Sequence, residues 1–216
     1  MLDRIQEHLE AIYGLRCEYR ASDFLVDFET AKALGGTGRN REELLVSQSV
    51  DAHGENLDLA LYLEPEMLKR VSSFEARPSG ALDDELPSFC EVAEGVSHFV
   101  YMTHTARLER TVSLLELEAQ AEVDKFAVCV LMRWGRDSAG WATSLVGRLF
   151  HRVRFNEQLS ADERWRYVEA NRLAKAYAER LLKLVRAQNL GPLLAELRHA
   201  YRLGAEAKLQ YFARVR

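Results

Sequence analysis

The sequence has no long hydrophobic run. Its longest apolar stretch is FAVCVLM at 126–132, whereas a membrane-spanning helix needs about 18 or more such residues. The opening residues, MLDRIQEHLEAIYG, also do not have the basic region followed by an apolar stretch that is typical of a secretory signal. We therefore expect a soluble protein without a secretory signal and without a membrane partner.

Cysteine is scarce as well, and its pattern excludes a disulfide framework. The chain has three cysteines, Cys17, Cys90 and Cys129, which are odd in number and far apart. They do not have the close spacing of a metal knuckle. Cys129 lies within the apolar run AVCVL, where a thiol packs as a small hydrophobic side chain. The cysteines predict reduced, structural thiols and a cytoplasmic location.

Charge is the most unevenly distributed property of the chain. The net charge of the 216 residues is only −4. Residues 1–124 nevertheless contain 11 Lys and Arg against 25 Asp and Glu, whereas residues 125–216 contain 18 against 8. Either the basic part binds an anionic partner, or the two parts complement each other within the molecule. Because acids and bases interleave in both parts, we favour internal complementarity.

The first part, residues 1–75, has the pattern of a small α+β structure. Leu2, Ile5, Leu9 and Ile12 recur at spacings of three and four, which predicts an amphipathic N-terminal helix. Three segments are predicted to be strands: SDFLVDF at 22–28, ELLVSQSV at 43–50 and NLDLALYL at 56–63. In the last of these, alternate leucines form one apolar face. We expect about three strands in a small antiparallel sheet that packs on the N-terminal helix.

The second part, residues 88–216, is predicted to be a helical bundle of about five helices. Residues 76–87 are rich in Pro, Gly and acids and form the predicted linker. A helix over 111–134 is apolar on two opposite faces, which is typical of a central helix. Ser160 and Glu163 have the spacing of a capping box at the start of a long helix, and one last helix is expected over 192–213. The fold class is therefore α+β, and the sequence leaves open whether the two parts share one core.

The sharpest candidate for a chemical site is a pair of residues on the first helix of the bundle. Glu94 and His98 are one turn apart, and Glu118 and Glu122 repeat that spacing on the next helix. Facing helices in bundles hold metal ions with such side chains, so these four residues are the predicted ligands of a divalent metal. The spacing differs from the Glu-x-x-His of known dinuclear sites, and the alternative is a face of the helix that is exposed to water.

The best candidate for an anion-binding surface is GRLFHRVRF at 147–155. Arg148, Arg152 and Arg154 lie close together there, beside aromatic residues that can stack on bases. Against a nucleic-acid domain stands the isoelectric point of about 5.9, because such domains are strongly basic. The alternative is again an ordinary helix surface with charged side chains.

The sequence therefore favours a protein that is not an enzyme. It has no serine within a Gly-x-Ser-x-Gly elbow, and Asp124 is expected to form a structural ion pair with the basic C-terminal helices. The first hypothesis is a cytoplasmic interaction or adaptor protein that binds another protein or itself and needs no cofactor. The alternatives are a metal-dependent enzyme of the helical bundle type and a nucleic-acid-binding protein.

Overall fold

The structure of the protein is a computed structural model. It describes residues 1–51, 54–74, 84–135, 138–151, 153, 155 and 157–214. The chain forms two compact units, one of Met1–His8 with Arg16–Arg110 and one of Leu9–Leu15 with Thr111–Arg216. Within the described ranges, no helix is both long enough and apolar enough to cross a membrane.

The first unit contains the sheet. In chain order its elements are α1 (Leu2–Tyr13, of which the last five residues belong to the second unit), a 3₁₀ turn (Ala21–Phe24), β1 (Leu25–Val26), α2 (Phe28–Ala33), β2 (Glu42–Asp51), β3 (Gly54–Leu63), α3 (Pro65–Phe74) and α4 (Leu86–Ala106). The predicted N-terminal helix is confirmed, and its apolar stripe of Leu2, Ile5, Leu9 and Ile12 is buried.

The sheet has three strands in the order β1-β3-β2. Strands β2 and β3 form an antiparallel hairpin in which Glu42 pairs with Leu63. Strand β1 pairs with β3 in parallel, so the sheet is mixed rather than purely antiparallel. β1 is also shorter than predicted because the Asp27 side chain accepts a hydrogen bond from the Thr30 backbone N–H at 2.8 Å and starts α2.

Helix α4 packs on β2, β3 and α3. The predicted alternation of β3 is observed at its start, whereas Ala60 to Leu63 are buried on both faces. The predicted division into 1–75, 76–87 and 88–216 stays a prediction, since residues 76–83 of the linker lie outside the described residues. Of the residues assigned to the bundle, those of α4 up to Ala106 group with the sheet.

The second unit is helical. Its elements are α5 (Leu114–Met132), α6 (Ser138–Val146), a π-helical segment (Gly147–His151), α7 (Ala161–Arg186), α8 (Leu190–Arg202) and α9 (Ala205–Ala213). The single last helix that the sequence predicted is two helices, because Leu203 is extended with ψ 146° and Gly204 precedes α9. The α+β fold class, with an N-terminal helix, a small sheet and a helical bundle, is confirmed.

Helix α5 lies at the centre of the second unit, where it packs on α6, α7 and α9. Most residues of its two predicted apolar faces are buried: Leu117, Ala121 and Val128 on one face, and Ala119, Val123, Phe126 and Val130 on the other. Val112 and Leu115 of the second face and Met132 of the first are half-buried. Leu114, predicted to be on the first face, is exposed because it is the first residue of the helix. The capping box of Ser160 and Glu163 starts α7 as predicted.

Candidate functional site

Helix α4 carries Glu94 and His98 in surroundings that the sequence did not predict. One alternative placed Glu94, His98, Tyr101 and Thr105 on a face exposed to water. In the structure His98, Tyr101 and Thr105 are buried and Glu94 is half-buried. Burial of the threonine is possible because its hydroxyl donates to the Tyr101 carbonyl oxygen at 2.8 Å within the helix. The exposed-face alternative is therefore wrong for His98.

Within the first unit, His98 contacts Glu42, the first residue of β2. The Nδ1 atom of His98 lies 3.2 Å from Oε1 of Glu42, and the two side chains are only 7% and 13% exposed. Because an ionised carboxylate can only accept hydrogen bonds, the Nδ1–H of the imidazole donates. In the neutral form of the ring the lone pair is then on Nε2, a nitrogen that can bind a metal ion or take up a proton.

Gly95 makes this contact possible. A Cβ atom at position 95 would lie 2.9 Å from Cγ of Glu42 and 2.9 Å from Cδ2 of Leu63. Such distances are well inside van der Waals contact. The absence of a side chain on Gly95 therefore allows Glu42 to approach the helix closely and to reach His98, one turn further along α4.

Glu94 provides a second carboxylate on the same helix. A carboxylate oxygen of Glu94 and a ring nitrogen of His98 lie within 4.8 Å of each other. Two ligands at about 2.0–2.2 Å from one ion are about 3–4 Å apart, so a small movement of either side chain would bring the two atoms to the separation that a shared ion requires. The pair can also act as an acid and a base on one proton.

Further charged residues neighbour Glu42 and Glu94 along the chain. Arg41, the neighbour of Glu42, forms ion pairs with Glu64 and with Glu91, the latter at 2.8 Å. The hydrogen bond to Glu64 raises the pKa of the Arg41 guanidinium, so it stays charged. Glu91 is one turn before Glu94 on α4. Arg41 therefore joins Glu64, the residue after β3, to Glu91 on α4 through two ion pairs.

Glu118 and Glu122, the other two predicted ligands, lie on α5 in the second unit. There Glu118 is buried with the Nε atom of Arg166 at 3.7 Å, and Glu122 is 2.9 Å from Nζ of Lys125. Within the first unit the structure brings Glu94 and His98 together. A single metal site made of all four residues stays a prediction from the sequence.

Asp124 belongs to a buried polar cluster of the second unit. Its carboxylate accepts hydrogen bonds from the Tyr13 hydroxyl and from Nε2 of Gln120, the latter at 2.7 Å. Oε1 of Gln120 accepts a hydrogen bond at 2.8 Å from Lys208, a lysine that is completely buried. Lys208 is thus the C-terminal cation near Asp124, and the side-chain amide of Gln120 connects the two groups. The Nζ atom of Lys208 is also 4.0 Å from a carboxylate oxygen of Glu116.

The arginine segment is described only in part. Arg148 lies on the π-helical segment with its guanidinium 5.6 Å from the ring centre of Trp141, and Arg133 lies 4.2 Å from the same ring. Arg152 and Arg154 lie outside the described residues. An anion-binding surface of Arg148, Arg152 and Arg154 therefore stays a prediction.

Sequence reasoning missed Glu42, the residue that defines the surroundings of His98. Glu42 and His98 are 56 positions apart. The sequence at the start of a strand contains no periodic pattern that indicates which distant helix the strand will contact. Two adjacent glutamates, Glu42 and Glu43, follow a glycine-rich segment, but they do not have the spacing that is expected of metal ligands. No protein-family model, no curated protein and no solved structure matches this chain.

Proposed function

We propose that the protein binds a divalent transition metal ion through Glu94 and His98 of α4. The observation that carries this proposal is the buried pair of His98 and Glu42, next to a second carboxylate on the helix. Metal-binding histidines almost always donate their other ring N–H to a carboxylate, a carbonyl oxygen or water. The Nδ1 contact to Glu42 supports this arrangement, with Nε2 as the nitrogen that would bind the ion.

The donor set favours some metals over others. An imidazole nitrogen with carboxylate oxygens suits Mn²⁺, Fe²⁺, Co²⁺ and Zn²⁺, whereas Mg²⁺ and Ca²⁺ prefer oxygen ligands alone. Two protein ligands leave the other coordination positions for water or further groups, as at metal ions that bind a substrate. The function that we propose is metal binding.

The experiment is a metal titration of the purified, untagged protein. Metal analysis after dialysis against Mn²⁺, Co²⁺ or Zn²⁺ should give about one tightly held ion per chain, and bound Co²⁺ should show visible absorption bands. His98→Gln and Glu94→Gln should lose this ion. Glu118→Gln and Glu122→Gln test the remaining residues of the sequence prediction.

A control variant distinguishes the site from weak binding to any histidine. His151 is exposed on the π-helical segment, so His151→Gln should keep the ion. The proposal is overturned if wild type and His98→Gln bind the same amount of metal, or if the wild type holds none of these ions.

A second candidate function is protein association, which the sequence favoured. Trp165 and Val168 lie one turn apart on α7 and are 63% and 45% exposed. Exposed tryptophan is unusual on a surface that contacts only water, and tryptophan is enriched at the energetic centres of interfaces. The association that we propose is self-association, in which the partner is a second copy of this chain.

Sedimentation velocity over a range of protein concentrations tests self-association. The wild type should sediment faster as the concentration rises, and Trp165→Ala should not. Val46→Ala, which changes an exposed apolar residue of β2, is the control and should behave like the wild type. A single species at every wild-type concentration would contradict self-association.

A further inference from the structure

The surroundings of His98 assign a role to Glu42 that rests on the metal binding proposed above. We infer that Glu42 is the positioning residue of the metal centre: it holds the Nδ1–H of His98, so that Nε2 presents its lone pair to a first-row transition metal ion. Glu42 would thus act on the ion through His98 and would not need to bind the ion itself. Glu42 lies on the sheet, whereas the ligands that the sequence predicted all lie on helices.

The hydrogen-bonding chemistry of the two groups supports this role. A neutral imidazole has one N–H donor and one acceptor nitrogen, and which nitrogen has the hydrogen depends on the neighbours. The carboxylate of Glu42 stabilises the form with hydrogen on Nδ1. Because both side chains are largely buried, the hydrogen bond is in surroundings of low dielectric constant, where its preference for one form is stronger than in water.

The fold fixes the position of Glu42 from two sides. Its backbone pairs with Leu63 in the β2–β3 hairpin, and its side chain lies against α4 at Gly95. Leu63 contacts the same glycine position, so both residues of this strand pair lie at the helix surface. A carboxylate held in this way also restrains the orientation of the His98 ring, which lowers the cost of ordering it when an ion binds.

An alternative interpretation is that Glu42 and His98 form an ion pair that only stabilises the fold. The two interpretations predict different states of the His98 ring. A purely stabilising contact requires that the groups attract each other, whereas the positioning role requires that metal-free His98 is neutral with its hydrogen on Nδ1. It also requires that loss of the carboxylate weakens metal binding in a protein that is still folded.

The test combines imidazole NMR with a Co²⁺ titration. Long-range ¹H–¹⁵N spectra of the metal-free protein give the hydrogen-bearing nitrogen of each histidine, and His98→Gln identifies the signals of His98. We expect the Nδ1–H form in the wild type. In Glu42→Gln, whose amide can both donate and accept, we expect a mixture of the two forms and a Kd for Co²⁺ that is about 10–100-fold higher.

The matched control is Glu43→Gln. Glu43 is the next residue of β2, and its carboxylate accepts a hydrogen bond from the Thr37 backbone N–H at 3.0 Å. The variant has the same change of net charge on the same strand, and its His98 signals and Co²⁺ affinity should equal those of the wild type.

The outcomes separate the two proposals. If the wild type binds Co²⁺ but Glu42→Gln binds it equally well with His98 unchanged, the role of Glu42 is overturned and metal binding stands. A wild-type His98 with its hydrogen on Nε2 overturns the role of Glu42 without any variant. If the wild type binds no metal ion, the proposed function fails and the role of Glu42 fails with it.

Discussion

Tyr13 donates the hydrogen of its hydroxyl group to the carboxylate of Asp124, a residue 111 positions further along the chain, and both side chains are buried in the second unit. The ring of Tyr13 also stacks on the ring of Tyr201 with 3.9 Å between their centres. A buried carboxylate needs hydrogen-bond donors to compensate for the water that it loses. The contact therefore attaches the last turn of α1 to the central helix α5 of this unit.

We expect Tyr13→Phe to destabilise the protein. The substitution keeps the ring but removes one donor from a buried carboxylate, which typically costs about 1–3 kcal/mol. Urea denaturation followed by circular dichroism measures the change in the free energy of unfolding. Tyr19→Phe is the control, since Tyr19 is 54% exposed and such a change usually alters stability by less than about 0.5 kcal/mol. Equal stabilities of the two variants would contradict this role of Tyr13.

Lys208 should be even more sensitive to substitution. Its buried ammonium group donates to Gln120 at 2.8 Å and lies 4.0 Å from the buried carboxylate of Glu116. Lys208→Met leaves that carboxylate without its cation, and removal of one partner from a buried ion pair costs about 3–5 kcal/mol. The double variant Lys208→Met/Glu116→Gln should regain part of the loss, because it also removes the buried negative charge.

The control for Lys208 is an exposed ion pair. Lys69 lies 2.6 Å from Glu66 on α3, and both side chains are about two-thirds exposed or more. Because water screens such a pair, Lys69→Met should cost less than about 1 kcal/mol. Denaturation midpoints of the three variants give the comparison, and a Lys208→Met protein as stable as Lys69→Met would refute the importance of the buried cluster.

Alkaline pH should destabilise the second unit through its buried tyrosines. Burial raises the pKa of Tyr13 well above its ordinary value of 10.0, and the negative charge of Asp124 raises it further. Burial also raises the pKa of Tyr177. Both groups therefore keep their protons in the folded protein at a pH where the unfolded chain releases them. Their contribution to stability is complete below about pH 10 and decreases as the pH rises above it.

Urea denaturation between pH 8 and pH 11.5 checks this dependence. The free energy of unfolding should fall above about pH 10, by at most about 1.4 kcal/mol per pH unit for each such tyrosine. Tyr13→Phe should make the fall less steep, because it removes one of the two groups. Tyr19→Phe should leave the slope unchanged, and a slope that is also unchanged in Tyr13→Phe would contradict the assignment.

The parts of the fold that the sequence predicted are those with a local pattern. Alternate leucines predicted β3, two apolar faces predicted the central position of α5, and Ser160 with Glu163 predicted the start of α7. Each pattern depends on residues only two to four positions apart. The break between α8 and α9 was missed: one helix was predicted over 192–213, whereas the extended backbone at Leu203 ends α8 and Gly204 precedes α9.

The contacts of the candidate site depend on residues that are far apart in the chain. Glu94 and His98 were found because they are one helical turn apart. Glu42 was missed because its position depends on the pairing of β2 with β3 and on the close approach of the sheet to Gly95. Neither contact can be recognised from the sequence around position 42. Lys208 is a different case. It lies one turn before the buried Phe212 on α9, but it was not predicted to be in the core, because a lysine is rarely buried.

Gly95→Ala tests the close approach of the sheet to α4. The added Cβ would lie 2.9 Å from Glu42 and 2.9 Å from Leu63, and overpacking of this kind typically costs about 1–3 kcal/mol despite the better helix propensity of alanine. Gly147→Ala is the control, because a Cβ on that first residue of the π-helical segment would meet no atom within 4 Å, and it should stabilise by about 0.5–1 kcal/mol. Thermal and urea denaturation would show opposite signs for the two variants. If Gly95→Ala were as stable as the wild type, the sheet would not lie against the helix at this position, and the hydrogen bond from His98 to Glu42 would lose its structural basis.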